Sequence, residues 1–276
     1  MANTIDWGQG AVNNTIGWGK GKTNATNNWG SIYDSTAAGE TNITGGGGFV
    51  NEYSMSFDGV DEYFSAGNPS SLQITGALTI SAWVKTTNTT TIGIIVGKDG
   101  VSPHATRSYQ IQLQSSGEAR FVIFKSGSIV ELVTGTTLVN DGNWHHVMGV
   151  NDGADLKIYV DGTLEATNLG GGGTIQNGTA NFNIGRREGN GTNELEFLGN
   201  IDEVAIWNSD QSSNASSIYN GGVPTDLSSL SPLSWWRMGD GDTWNGSTWT
   251  LTDNGSGGND ATSVFMEEGD RVTDVP

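Results

Sequence analysis

Glu194-Leu195-Glu196 sets two carboxylates at i and i+2. On a β-strand such a pair shares one face. Two carboxyl groups flanking a glycosidic bond can serve as acid and nucleophile. The plainer reading is a solvated strand before a turn. The histidines are His104, His145 and His146. A zinc site needs three or four converging ligands, but His145 and His146 are neighbours. On a strand they point to opposite faces, one buried and one exposed. His104 falls in a loop, so neither zinc nor a triad is expected. The chain has no cysteine, which removes disulfides, thiolate metal sites and Cys nucleophiles. Gly-x-Ser-x-Gly and the P-loop are absent, and Gly170–Gly173 lacks the Lys-Ser/Thr of a phosphate cradle. No catalytic residue is expected, and the chain reads as non-enzymatic.

Composition narrows the partners. The 276 residues hold 12 Lys+Arg against 30 Asp+Glu, a formal net charge of −18. Such a chain repels phosphate, so nucleic-acid binding is not expected. No run approaches the roughly 18 apolar residues of a membrane helix, so membrane insertion is not expected either. Residues 1–10 carry neither a basic start nor an apolar stretch, so no secretory leader is expected. With 34% hydrophobic and 15% charged residues the chain can bury a core. Glycine, at 42 residues, is about twice its usual share, and ten tryptophans are many for this length.

The elements that must position any site are strands. In residues 1–48, Trp7, Trp18 and Trp29 recur every eleven residues in NTIDWGQGAVN, NTIGWGKGKTN and ATNNWGSIYDS. This is an internal repeat. Gly, Asn and Thr are poor helix formers, so short strands and turns fit it better than a helix. Gly45–Gly48 follows as a flexible joint. Residues 49–223 carry strand-length apolar stretches such as LTISAWVK (78–85), RFVIFK (120–125) and IDEVAIW (201–207). Several alternate with period two, for example Gln110-Ile111-Gln112-Leu113. Asp-Gly pairs at 58–59, 99–100, 141–142, 152–153 and 161–162 mark tight turns. The one helix candidate is 214–219, closed by Asn220-Gly221-Gly222. Residues 224–276 form an acidic extension containing Trp235, Trp236, Trp244 and Trp249, and those tryptophans predict that part of it packs on the domain. The pattern predicts an all-β sandwich or jelly roll over 49–223.

Three stretches resemble the laminin-G-like domains of the concanavalin A-like superfamily: SMSFDGVDEYFSAGNPSSLQITGALTISAWVK (54–85), GNWHHVMGVNDGADLKIYVDGTLEAT (142–167) and FNIGRREGNGTNELEFLGNIDEVAIWN (182–208). They span about 150 residues in the family's order. The resemblance implies a concanavalin A-like jelly roll with Trp83, Trp144 and Trp207 in its core. It also implies a structural calcium, held by Asp202 and by backbone near Asp58 and Gly59, since calcium takes oxygen ligands in flexible geometry. The alternative is that Asp202 only hydrogen-bonds the Asp58-Gly59 turn. Glucanases of this superfold carry E-x-D-x-x-E; here the second acid is Glu196 and the third position is Gly199. Segment LSWWRMGDGDTWNGSTWTLTDNGSGGNDAT (233–262) looks like the family's opening unit, placed after its last strand: either a permuted closing strand, pairing within this chain or with a neighbour, or the start of a second unit left incomplete.

Sugar binding is the function that the resemblance implies. Rings stack on the apolar faces of pyranoses, while polar side chains and backbone take the hydroxyls. The candidates are Tyr109, His104, Arg186, Arg187, Asn190 and Asn193. The Trp-Gly repeat and the WWRMGDG tail together resemble laminin-G-bearing structural proteins of tailed bacteriophages. That resemblance implies a homo-oligomeric protein of the virion surface, assembled in the host cytoplasm. It would be a head fibre, capsid decoration or tail-fibre-like adhesin. Trp7, Trp18 and Trp29 would anchor it to other capsid or tail proteins, because aromatic anchors dominate interfaces. The alternatives are a purely structural, capsid-stabilising decoration protein without sugar binding, or a secreted-type glycan-binding or glycan-cleaving module.

Overall fold

The computed structural model describes residues 49–100, 103–189 and 194–276, and, within 1–48, the backbone of three short strands. The chain forms two compact units, 1–50 and 51–276. In the first, β1 (Ala25–Thr26), β2 (Ser31–Asp34) and β3 (Thr41–Thr44) make an antiparallel sheet in that order. Trp7, Trp18 and Trp29 lie outside the described residues.

The second unit holds β4 (Ser54–Asp58), β5 (Tyr63–Gly67), β6 (Leu78–Lys85), β7 (Gly93–Lys98), β8 (Tyr109–Leu113), β9 (Glu118–Lys125), β10 (Ile129–Leu138), β11 (Trp144–Asn151), β12 (Leu156–Val160), β13 (Thr163–Asn168), β14 (Phe182–Ile184) and β15 (Leu198–Trp207). After the helix α1 (Ala215–Tyr219) come β16 (Ser234–Trp236), β17 (Thr243–Trp244), β18 (Trp249–Leu251), β19 (Ala261–Val264) and β20 (Arg271–Val272). Asn220 closes α1 in the left-handed region at φ +49°, as the Asn-Gly-Gly run predicts. Two antiparallel sheets result. The nine-stranded sheet runs β10-β9-β8-β7-β14-β5-β19-β18-β17. The eight-stranded one runs β13-β12-β11-β6-β15-β4-β20, with β16 paired to the second half of β15. The β12–β13 hairpin turns on Asp161-Gly162, both at positive φ (+48° and +73°), which is why Asp-Gly stands there. This is the all-β jelly-roll sandwich that the sequence predicts.

The core lies between the sheets and follows the period of two. Leu78, Ile80, Ala82 and Val84 of β6 face inward, against Ile111 and Leu113 of β8 and Phe121 and Ile123 of β9. Residues 224–276 are woven into both sheets. β16 pairs with β15, β20 with β4, and β19 with β5, so the displaced unit closes the sandwich within its own chain. Trp236 stacks on Phe182 with centroids 5.1 Å apart, and its indole N–H donates to the Asn259 carbonyl at 2.8 Å. Trp249 donates to the Glu267 carbonyl at 2.8 Å.

Of the three expected core tryptophans, two are buried and one is not. Trp83 and Trp207 are buried, but on the outer side of the eight-stranded sheet, opposite the inward Ile80–Val84 and Val204–Ile206 sets. There Trp83 stacks with Tyr219 of α1 at 5.6 Å, and Trp207 donates to the Leu230 carbonyl at 3.1 Å. Trp144 is only half-buried at the start of β11 and donates to Asp274 at 3.0 Å. The tryptophans between the sheets are Trp236 and Trp249.

Candidate functional site

The outer face of the nine-stranded sheet carries a continuous polar row. Register places Thr250 opposite Thr262, Thr262 opposite Ser65, Ser65 opposite Asn183, Asn183 opposite Gly97, and Gly97 opposite Gln110. Neighbouring strands lie about 4.8 Å apart, so the row crosses six strands at that spacing. Alternate residues of the same strands, Phe64, Phe182 and Ile111, fill the core. Strand parity therefore turns the polar set outward.

Two members of the row are unusual. Asn183 and Gln110 are only 2% and 3% exposed, yet Asn183 Oδ1 and Gln110 Oε1 have no protein partner. The Gln110 amide N–H donates to Gln112 Oε1 at 2.5 Å, which fixes its direction. Leaving a buried polar atom unpaired costs about 1–3 kcal/mol, and such atoms call for an explanation. Between the two amides sits Gly97. A Cβ there would lie 2.6 Å from Gln110 Cβ and from the Tyr109 carbonyl, so only glycine fits, and Gln110 fills the space a side chain would take. Further along the strands on the same face, Tyr63 lies opposite Val264 and carries the Arg186 guanidinium 3.8 Å above its ring. Arg186 Nε likewise has no protein partner. Beyond Gln110, His104 stands edge-on to Phe124 at 5.5 Å with Nε2 unpartnered. These amide, guanidinium and imidazole atoms are enclosed, so hydroxyl groups can pair with them only where the side chains over the row move aside.

Of the expected ligand residues, the structure brings Arg186 and His104 to this face. Tyr109 is corrected: it points inward and is wholly buried, its hydroxyl donating to the Leu72 carbonyl at 2.7 Å. Burial pushes its pKa up, as for any structural phenol sealed in a core. Arg187 is also corrected. It is buried beside Asp99 at 3.9 Å, and Asp99 also accepts from Arg107 Nε at 2.5 Å, so this group fastens the loop. Asn190 and Asn193 lie outside the described residues. Sequence reasoning missed Asn183, Gly97 and Gln110. The Gln-x-Gln alternation was their one signal, since only register unites three distant strands.

The calcium set does not fit. Asp58 pairs with Leu198 at the start of β15, while Asp202 lies four residues further on, about 13 Å along the strand. Asp58 is exposed and accepts from the Val60 N–H within its own Gly59 turn. Asp202 is buried and accepts from Asn51 at 2.8 Å and from the Glu203 N–H at 2.7 Å. Its bonds are not to the Asp58-Gly59 turn, so that alternative is corrected too. Burial raises the Asp202 pKa well above its ordinary value, and the neighbouring Glu203 adds to the rise. We expect excess EDTA to leave the melting temperature unchanged; a fall of several degrees would place an ion here by mass action. The Glu194/Glu196 pair also departs from the strand reading. Residues 194–197 precede β15, and Leu195 is left-handed at φ +56°, which breaks the alternation that would align the two carboxylates.

Comparison with known proteins agrees with this architecture. A protein of Mus musculus, "Sushi, von Willebrand factor type A, EGF and pentraxin domain-containing protein 1", is 30% identical over 123 residues, 42% of this chain but 3% of the relative. This chain therefore spans a small fraction of that protein's length. Among solved structures, a candidate carbohydrate binding protein from Bacteroides ovatus superposes with a TM-score of 0.60 at 18% identity, covering 78% of this chain and 58% of the other. The CBM40 of the Ruminococcus gnavus IT-sialidase superposes at 0.52 with 16% identity, covering 63% of this chain and all (100%) of the other. Both likenesses concern the fold. The Laminin_G_3 family model matches residues 58–218, more than half of the sequence, and the chain thus belongs to this family of the concanavalin A-like lectin/glucanases superfamily.

Proposed function

We propose that the protein is a non-enzymatic carbohydrate-binding protein and that the outer face of the nine-stranded sheet is its glycan site. The observation that carries this reading is the pair of buried, unpartnered amides, Asn183 and Gln110, on either side of Gly97. With the side chains over the row moved aside, sugar hydroxyls supply the donors that both enclosed carbonyl oxygens lack. The R. gnavus CBM40, which shares the fold, has been captured with α2,3 and α2,6 sialyllactose. The broken alternation at Leu195 supports the absence of a glycosidase pair. In the double variant Asn183→Ala with Gln110→Ala, glycan-array signal should fall at least tenfold. The melting temperature should move by no more than about 4 °C, because removing two unpaired buried oxygens offsets the lost Gln110–Gln112 bond. An unchanged array signal would remove the site from this face.

The wider setting is part of the same proposal. The protein is a homo-oligomeric virion-surface component, attached to capsid or tail proteins through residues 1–48. The support is the eleven-residue Trp-Gly repeat and the phage-like tail motif. Replacing Trp7, Trp18 and Trp29 together by Ala should abolish incorporation into particles while leaving the melting temperature of the sandwich in place. Retained incorporation would put the anchor elsewhere.

A further inference from the structure

Phe265 is out of place by every structural criterion. It follows β19 directly, between Val264 and the buried Met266, and adopts the left-handed region at φ +63°. Bulky L-residues avoid that region because Cβ crowds the following carbonyl. The turn brings no burial in return, since the ring is 67% exposed. The other bulky apolar residues at positive φ among the described residues, Leu195 and Met238, are half-buried and buried. Strain of this kind, held with no packing to reward it, marks functional positions.

Its position gives the strain a use. Val264 pairs with Tyr63 on the outer face, so Phe265 stands one residue beyond the ring that carries Arg186. Thr262 of the polar row lies three residues back, about 10 Å along the strand. Hydroxyl-binding groups and an exposed ring thus border the same end of one sheet face. The Arg186 guanidinium, already stacked on Tyr63, adds an oriented donor there. The charge of −18 works against a polyanionic ligand across the whole molecule.

We propose that Phe265 is a ring-stacking platform that extends the site, and that the ligand is an uncharged polysaccharide. This rests on the glycan reading of the outer face. A polysaccharide with one pyranose on the row continues past Tyr63, and its next pyranose lays its apolar C–H face on Phe265. The left-handed turn is what aims the phenyl ring into solvent rather than into the core beside Met266.

The test is affinity electrophoresis of the full chain in gels containing laminarin, mannan or galactan, with alginate and hyaluronate as charged counterparts. Neutral chains should retard the wild type in a manner insensitive to salt. Phe265→Gly should weaken that retardation about 3- to 10-fold, yet raise the melting temperature by about 2–4 °C as strain is released. Phe265→Trp should keep the affinity. If Phe265→Gly binds as the wild type does, or melts lower, the platform is wrong. Asn183→Ala with Gln110→Ala, losing retardation in the same gels, would show that the sheet-face reading survives that failure. Preference for alginate or hyaluronate would overturn the uncharged class, and no retardation by any chain would overturn both readings.

Discussion

Deleting residues 233–276 is expected to abolish soluble, cooperatively folded protein. The segment supplies β16 to β20 and places Trp236, Trp249, Leu251, Ala261 and Met266 in the core. Each large buried side chain contributes about 1.5–3 kcal/mol, so their combined loss rivals the roughly 5–15 kcal/mol by which a domain is stable at all. The deletion also strips partners from three strands. β5 loses β19, β4 loses β20, and the second half of β15 loses β16. Bared strand edges template aggregation. The charge cluster of β15 comes apart as well. Glu203 is 3% exposed and is held by the Trp235 indole N–H at 2.5 Å and by Arg237 Nε at 3.1 Å. Without them a buried carboxylate is left uncompensated. A graded version is Trp236→Ala, which should cost about 3–5 kcal/mol and lower the melting temperature by roughly 6–20 °C. The measurement is soluble yield and a thermal melt. A truncated chain that melts with the wild type would make the segment dispensable.

Much of this fold was legible because the sandwich rests on alternation and turns. The Asp161-Gly162 hairpin and the Asn220-Gly221-Gly222 helix stop follow from local backbone chemistry, which a sequence states directly. Tyr109 shows how a legible signal was outweighed. The Gln110-Ile111-Gln112-Leu113 alternation already puts Tyr109 in phase with Ile111 and Leu113, and that phase is inward. Trp83 shows the same. Thr79, Ser81 and Lys85 put its phase of β6 on the polar side, opposite Leu78, Ile80, Ala82 and Val84, and α1 is what buries it there. The site row was hidden for a different reason. Ser65, Gly97, Gln110 and Asn183 come from four strands, and only register brings them together. Asp202 fell to a bulge. β15 slips register between Asp202 and Ala205, with Glu203 left-handed at φ +48°, so Glu203 turns to Trp235 and Arg237 of the closing segment while Asp202 meets Asn51.

That buried acid group should make the protein most stable on the acid side of neutrality. Burial is the leading cause for each member. It lifts Glu203 to about 7 against the pull of Arg237, Asp242 to about 6, and Asp202 well above its ordinary range. Glu62 also rises to about 7, through burial first, although it accepts the Asp58 N–H. A carboxyl with a raised folded pKa favours the fold below its unfolded value of about 4. That advantage is lost as pH climbs through the folded value. The loss therefore falls between about pH 4 and pH 7. His146 opposes it. Burial lowers its pKa from 6.5 to about 4, so its contribution is present above 6.5 and is lost as pH falls toward 4. His145 acts with the carboxyls: the Asp161 hydrogen bond at 2.8 Å raises its pKa, so its contribution also fades with rising pH. Four carboxyls and one imidazole outweigh one buried histidine. On the far acid side Asp152 sets the limit. Burial works against its ionised form, but the Asp155 and Ala154 N–H groups and Lys157 bring it down to about 2, so its contribution is lost below about pH 4. The melting temperature should peak near pH 4–5 and fall by about 5–10 °C toward pH 8. Glu62→Gln with Glu203→Gln should flatten the descending limb, since an amide oxygen still accepts from Asp58 N–H and from the Trp235 indole but cannot ionise. A wild type most stable at pH 8, or a double variant with the same slope, would mean that these carboxyls are ionised at no cost in the folded chain.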